Sequence, residues 1–341
     1  MHLSVEAQER AHVEHVRAAL PAAWRGVTIE TSPAPQTLAY RARARVHLLS
    51  LRSGAIVVGM HEARSHEPVE VDTCAVLDPV LELARRALAG LFEGARGRGD
   101  AQIAFGARRL PVLDVRWDGD LPPQAFGRIE SMVTRGALAG AQITVGAATK
   151  PARIGDPTPW MTGADGAPLR LAPGGFAQAA EAVNAALVHH VAEVVRPWRA
   201  EKAVELYAGA GNVSVLLARE VGELACIESS REACEAARVN LAERGAVRAR
   251  VVEADAETYA WSKATRLVVL DPPRTGARAA AERLVTVRVP HVVYASCDAQ
   301  TLGRDLAILE KAYAPVSIRA FEMFPQTSHV EVVVALERRR P

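Results

Sequence analysis

"VSIRAFEMFPQTSHVEVVVALE" covers Val316–Glu337 and contains two strand-forming runs with only Pro325–Ser328 between them. A parallel crossover needs about a dozen residues, so these runs can pair only as an antiparallel hairpin. Upstream the rhythm is different. From Glu181, helix "AAEAVNAALVHHVAEVV" precedes strand "AVELYAG", followed by "SVLLARE" as helix, "ELACIES" as strand, "REACEAARVNLAERG" as helix and "ARVVEAD" as strand. "RLVVLDPP" and "HVVYASC" are two further strands, each leading into a helix-like stretch. This alternation predicts a parallel sheet covered on both faces. The fold class is therefore α/β, with five parallel strands plus a C-terminal antiparallel hairpin over residues 171–341.

The N-terminal half has another pattern. "EAQERAHVEHVRAALPAAW" places Val13, Val16 and Leu20 at helical spacing and meets Pro21, which predicts one helix in residues 1–30. Over residues 31–170 the β-like runs "TLAYRARARVHLL", "AIVVGMH" and "PVLDVRW" surround a helical "PVLELARRALAGLF", which predicts a mixed α+β domain. The Gly-, Pro- and Asp-rich stretch "IGDPTPWMTGADGAPLRLAPGGFAQ" reads as loop or hairpin at the junction.

With 341 residues the chain has length enough for two cores, and its formal charge of +2 neither demands nor excludes a nucleic acid. No apolar run approaches a membrane span, and "MHLSVEAQER" lacks the features of a secretory signal, so a cytoplasmic protein with no membrane partner is expected. Cys74, Cys226, Cys234 and Cys297 are too scattered for a disulfide framework, and no C-x-x-C spacing supports a metal or iron–sulfur centre. In "HEARSH", His61 and His66 are five apart where a zinc helix needs four, so both read as ordinary polar residues.

The chemistry gathers at the strand ends. Gly209 and Gly211 in "VELYAGAGN" make a turn that admits close backbone approach, and Glu228 ends the next strand, where a carboxylate can take both hydroxyls of a ribose. A dinucleotide fingerprint would want glycine at Ser214, and its sheet is usually parallel throughout. The pair therefore points to an adenosyl cofactor and away from NAD. Asp255, after the third strand, either meets an adenine amino group or caps a helix. Asp271 ends the fourth strand and Cys297 the fifth, and the antiparallel last strand begins at the same edge with Glu331 as the third residue of its run. A thiol and carboxylates beside a methyl donor suit methylation at carbon 5 of a pyrimidine. The thiolate would add at carbon 6, and a base would then remove the carbon 5 proton.

The motifs "LYAGAGN", "LDPPRTG", "YASCDAQTLGRDL" and "FEMFPQTSHVE", in this order, closely resemble those of the RNA 5-methyluridine methyltransferases, more the ribosomal-RNA branch than the tRNA branch. The resemblance implies a class I S-adenosylmethionine-dependent methyltransferase domain preceded by an RNA-recognition domain. It implies Cys297 as nucleophile, Glu331 as base, and Gln178, Tyr207, Glu228, Asp255 and Asp271 as cofactor-binding, with Asn212 in support. RNA is the expected partner, ribosomal before transfer, for a chain acting as a monomer. Several departures stand out: Ala299 replaces the proline of "SC-N/D-P", and Ala180 replaces the asparagine of "F-x-Q-x-N". Many ribosomal-branch relatives also carry a small barrel and a cysteine cluster. Neither is read here, and Cys74 reads as a buried remnant of that cluster.

For RNA contact, "YRARAR" predicts Arg41, Arg43 and Arg45 on one strand face as a phosphate track, while Arg274 either contacts the backbone beside a flipped nucleotide or bridges carboxylates within the sheet edge. A solvated strand face is the alternative for the row. A cytosine-5 RNA methyltransferase would normally add a fourth-strand cysteine where Arg274 stands, a small-molecule methyltransferase would not need Cys297, and a non-catalytic RNA-binding homologue would not need Cys297 and Glu331 together.

Overall fold

The computed structural model describes residues 3–61 and 68–340, so the expectation for His66 lies outside the described residues. The chain opens with α1 (Val5–Ala19), capped by Ser4, whose side chain accepts the Ala7 N–H. The helix is shorter than the predicted segment. After Pro21 come a 3-10 turn at Ala22–Trp24 and a strand, β1 (Ile29–Ser32), that the residue pattern did not reveal. The reason is its brevity: four residues with only Ile29 buried leave no period to read.

The next elements are β2 (Arg43–Ser50), β3 (Ile56–His61), β4 (Pro68–Glu70), α2 (Pro79–Leu91), β5 (Arg96–Phe105), β6 (Pro111–Asp120), α3 (Pro123–Thr134), β7 (Gly140–Val145) and β8 (Ala152–Gly155). They form a seven-stranded sheet in the order β4-β3-β2-β5-β6-β7-β8. Its pairs are antiparallel except β6 with β7, which α3 connects. Leu81 and Leu88 from α2, Phe92 at its C-terminal cap and Ile129 from α3 pack with Val46, Ile103 and Trp117 of the strands, so both helices cover the apolar face.

A hairpin of β9 (Trp160–Thr162) and β10 (Pro168–Arg170) follows. Then come α4 (Glu181–Val195), β11 (Lys202–Leu206), α5 (Ser214–Glu220), β12 (Glu223–Glu228), α6 (Arg231–Glu243), β13 (Ala249–Glu253), β14 (Leu267–Leu270), α7 (Arg278–Val287), β15 (His291–Ser296), α8 (Ala299–Leu309), β16 (Tyr313–Phe321) and β17 (Glu331–Arg338). The eight-stranded sheet runs β1-β16-β17-β15-β14-β11-β12-β13. The five strands from β13 to β15 are parallel and β16–β17 is the antiparallel hairpin, as the spacing predicts. β1 adds an edge strand parallel to β16. In this sheet Leu206, Leu270, Tyr294 and Val334 share one core with Val16, Leu20 and Trp24 from the N-terminal segment.

The described chain divides into two units. One comprises residues 1–37, 162–169 and 182–341, the other residues 38–161 and 170–181. The expected boundaries at residues 30 and 170 differ from these. The N-terminal helix is not a separate segment but part of the unit holding the eight-stranded sheet, because β1 pairs with β16 and α1 contributes to that core. The β9–β10 turn belongs to the same unit through Asp165, which accepts from Arg244 at 2.8 and 2.9 Å and from Arg219 at 3.0 Å.

Candidate functional site

At the carboxyl edge of the eight-stranded sheet, β15 and β17 pair antiparallel with Ser296 opposite Val332. The next pair in that register is Cys297 and Glu331. Glu331 is the first residue of β17, not the third of its strand, because the chain reaches the ladder only there. β14 runs parallel to β15 with Leu270 beside Tyr294, so Asp271 enters the same edge one strand away.

Electrostatics separate these groups. Burial pushes the Cys297 thiol up to about 11, with the charges of Glu331 and Asp271 adding to it and the exposed Arg274 guanidinium opposing. Glu331, 2% exposed, is also raised, first by burial and then by Asp271, while Arg274 again opposes. Desolvation raises Asp271. Two carboxyls sharing this edge cannot both ionise cheaply, so Glu331 tends to hold a proton.

The turn after Asp271 is held from behind. Asp305, fully buried in α8, accepts the Tyr294 hydroxyl and the Ala277 N–H, each at 2.7 Å, and the Arg304 Nη2 donates to the Thr275 carbonyl at 2.9 Å. Gly276 takes φ +75° there, and a Cβ on it would meet Asp305 Oδ2 at 2.5 Å. Residue reading missed Asp305, although a lone carboxylate on the apolar face of "TLGRDLAIL" was a usable signal. Asp298 caps α8 by accepting the Thr301 N–H at 2.8 Å, which anchors the chain one residue past the thiol.

Beyond β11 the turn bends through left-handed backbone at Tyr207, Gly209 and Gly211. Glu228 accepts the Gly209 N–H at 3.0 Å through one oxygen and the Ser230 N–H at 2.7 Å through the other. Asn212 and Asn184 exchange amide hydrogen bonds at 2.8 and 2.9 Å, and Tyr207 donates its hydroxyl to Glu257. Under the turn, Ser214 donates to the buried Glu205 at 2.6 Å, and burial raises that carboxyl to about 8. Asp255 accepts the Glu257 N–H at 2.8 Å and so closes a turn; among the described residues no helix starts there for it to cap. Asn184, Glu205 and Glu257 carried no sequence signal, because their partners are fixed only by the fold.

The family model described as tRNA (Uracil-5-)-methyltransferase matches residues 167–339, which include every one of these strand ends. A 23S rRNA (uracil(1939)-C(5))-methyltransferase RlmD from Halomonas elongata is 33% identical, over 98% of this chain and 73% of that protein. The chain belongs to the tRNA (uracil-5-)-methyltransferase family.

Other members agree: the protein of the same name from Tolumonas auensis is 30% identical over 90% of this chain and 71% of its own length. The fold also matches a solved structure, a Pyrococcus abyssi tRNA (uracil-54, C5)-methyltransferase in complex with S-adenosyl-L-homocysteine. That match has a TM-score of 0.79 and 23% identity, and it covers 98% of this chain and 84% of that one. Membership makes the chain an RNA uracil-5 methyltransferase that uses S-adenosylmethionine, as the resemblance implied.

The residues present fit that cofactor. A Cβ at Gly209 would meet nothing within 4 Å, so the turn of this uracil-5 methyltransferase has open space where a ligand must come close to backbone. Glu228 accepts from the turn through Oε2 and from the Ser230 N–H and the Ser229 hydroxyl through Oε1, which leaves Oε2 a lone pair for a hydroxyl donor. Gln178 is buried, and its Oε1 accepts no hydrogen bond among the described residues.

The arginine row is not the regular track that alternation predicts. β2 begins at Arg43; Arg41 lies before it, in isolated bridges to Leu77 and Ala180, after a left-handed Ala39. Arg43 donates to Gln102 and to the Ala177 carbonyl, and burial and the Arg45 charge lower it to about 10. Arg45 alone of the three is exposed. Cys74 is half-buried, not buried, and its N–H donates to Glu82 at 3.4 Å. Among the described residues, no group of three or more His, Cys, Asp or Glu could hold a metal, and no helix is long and apolar enough to cross a membrane.

Proposed function

We propose that this enzyme forms 5-methyluridine in ribosomal RNA through a covalent bond between Cys297 and carbon 6 of the target uracil. The single observation that supports this most is the strand register that makes Cys297 and Glu331 neighbours at the sheet edge. The thiol loses its proton to water and adds to carbon 6, and the ring electrons move to carbon 5 and O4 as an enolate. When bound, S-adenosylmethionine supplies the electrophilic methyl that carbon 5 takes. Ionised Glu331 then accepts the carbon 5 proton, the electrons reform the 5,6 double bond, and the carbon–sulfur bond breaks to release Cys297, which regains a proton. Arg274 eases both ionisations, since its charge lowers the thiol and the Glu331 carboxyl.

Tyr207, Gly209, Gly211, Asn212, Glu228, Asp255 and Asp271 are assigned to the cofactor, with Glu228 on the ribose. The orphan Oε1 of Gln178 supports a ligand role for that residue too. Arg45 remains a candidate phosphate contact, and Arg41 and Arg43 are reassigned to holding local structure. The ribosomal substrate rests on the names of the relatives from Halomonas elongata and Tolumonas auensis, and it goes with a cytoplasmic site of action.

The test incubates the protein with cofactor and 5-fluorouridine-substituted ribosomal RNA or tRNA, followed by mass spectrometry. A methylated protein–RNA adduct on ribosomal RNA, absent in Cys297→Ala, is the expected result. Adduct on tRNA alone would move the substrate to the transfer branch. No adduct on either, with cofactor still bound, would overturn the covalent mechanism.

A further inference from the structure

His12 in α1 is 5% exposed and Glu322, just past β16, is 6% exposed. The His12 Nδ1 lies 2.9 and 2.8 Å from the two Glu322 oxygens, and its Nε2 lies 2.9 Å from the Thr327 carbonyl oxygen. Beside a carboxylate and a carbonyl, both acceptors, the site favours a ring with hydrogen on each nitrogen, the imidazolium form. The Glu322 hydrogen bonds act in the same sense, holding His12 above its ordinary value.

The same connection is gripped twice more. Gln8 of α1 accepts the Gln326 N–H at 2.8 Å, and Gln326 donates to the Thr37 carbonyl at 3.4 Å from a left-handed backbone with φ +69°. Thr327 is four positions before Glu331, so this stretch sets where β17 begins. On its other side α1 lies against α8, close enough that a Cβ on Gly303 would meet the Ala19 carbonyl oxygen at 2.1 Å. α8 starts two residues after Cys297. One helix thus braces both elements that deliver the reacting side chains.

We propose that His12 is a positioning residue for the methylation reaction, its doubly bonded ring fixing the Glu322–Thr327 connection so that Glu331 meets the substrate in the geometry for proton removal. This rests on the reading of Glu331 as the base. Neither histidine nitrogen is in the reacting centre; the effect passes through the backbone that ends at Glu331.

The experiment compares His12→Ala, His12→Gln, Gln8→Ala and Glu331→Gln with wild type on unmodified ribosomal RNA fragments. The exposed His15→Ala serves as control. Four quantities are read: kcat, KM for RNA, S-adenosylhomocysteine affinity, and the fraction of protein trapped as an RNA adduct on denaturing gels. Misplacing a base by a fraction of an ångström predicts a kcat loss of roughly 10- to 100-fold in His12→Ala. KM and S-adenosylhomocysteine affinity should hold, and adduct should accumulate on natural uridine, as is also expected of Glu331→Gln. His12→Gln, which keeps one donor, should recover part of kcat, and His15→Ala should match wild type.

Unchanged kcat in His12→Ala, with adduct present in Glu331→Gln, overturns the positioning role and leaves the base assignment standing. A parallel loss of kcat, RNA binding and S-adenosylhomocysteine binding with no adduct also overturns it, since that is plain destabilisation. If His12→Ala does not fold, Gln8→Ala decides by the same criteria. No adduct in Glu331→Gln overturns both readings together.

Discussion

At the scale of single residues, Cys297 and Glu331 were legible because each is an unusual residue type at the end or start of an apolar strand, and strand order alone brings them together. The burial that places them also sets their titration. A carboxyl raised in the folded state takes up a proton on folding, so it stabilises fully only below the ordinary carboxylate range, and that contribution is lost as pH rises toward the folded value. Glu331→Gln should therefore melt higher than wild type at pH 7 to 8, by roughly 1 to 3 kcal/mol or a few degrees, with the gain vanishing near pH 4. Its methylation rate should fall about 100- to 10,000-fold. Calorimetry at the two pH values, beside a rate assay, checks the pair of outcomes. With the thiol at about 11, kcat/KM should still climb through the alkaline range. In Arg274→Ala the climb should shift further alkaline, since that guanidinium favours both anions; a pH profile that moves the other way would contradict the arrangement. The arginine row shows the opposite lesson. Its alternation was real, but Ala39 turns the chain before the strand begins and Gln102 captures one guanidinium, neither of which a period can show.

At the scale of elements, the hairpin of β16 and β17 was readable because only four residues separate the two apolar runs, and even the longer connection of residues 322–330 is too short for a parallel crossover. The position of α1 was not. Its amphipathic spacing said that one face is buried, not that α8 and the Glu322–Thr327 connection are what bury it. Gly303 distinguishes these levels. In an ordinary helix interior, glycine to alanine stabilises by about 0.5–1 kcal/mol. Here the new Cβ meets the Ala19 backbone at 2.1 Å, and backbone cannot swing aside. Gly303→Ala should therefore destabilise by about 1 to 3 kcal/mol, measured by denaturant unfolding, and a stabilised variant would mean that α1 does not press on α8.

At the scale of the whole molecule, the two sheets were legible as two regimes of periodicity, while the division of the chain between the units was not. It depends on β1 and on the β9–β10 turn, short pieces whose partners lie far along the sequence. Hydrogen exchange tests the assignment of β1. Its paired amides should exchange within about tenfold of those in β16, because both open with the same sheet. Exchange at the rate of a fraying terminus would remove β1 from that unit. Glu30 of β1 and its partner Arg319 on β16 are 289 positions apart. A ribosome adding about 5–20 residues per second needs roughly 15 to 60 s to cover that distance. Through that interval Val16, Leu20 and Trp24 have been synthesised while Ile318, Val332 and Val334, which complete the core they share, have not, so the nascent enzyme carries an unfinished apolar surface until its last hairpin emerges.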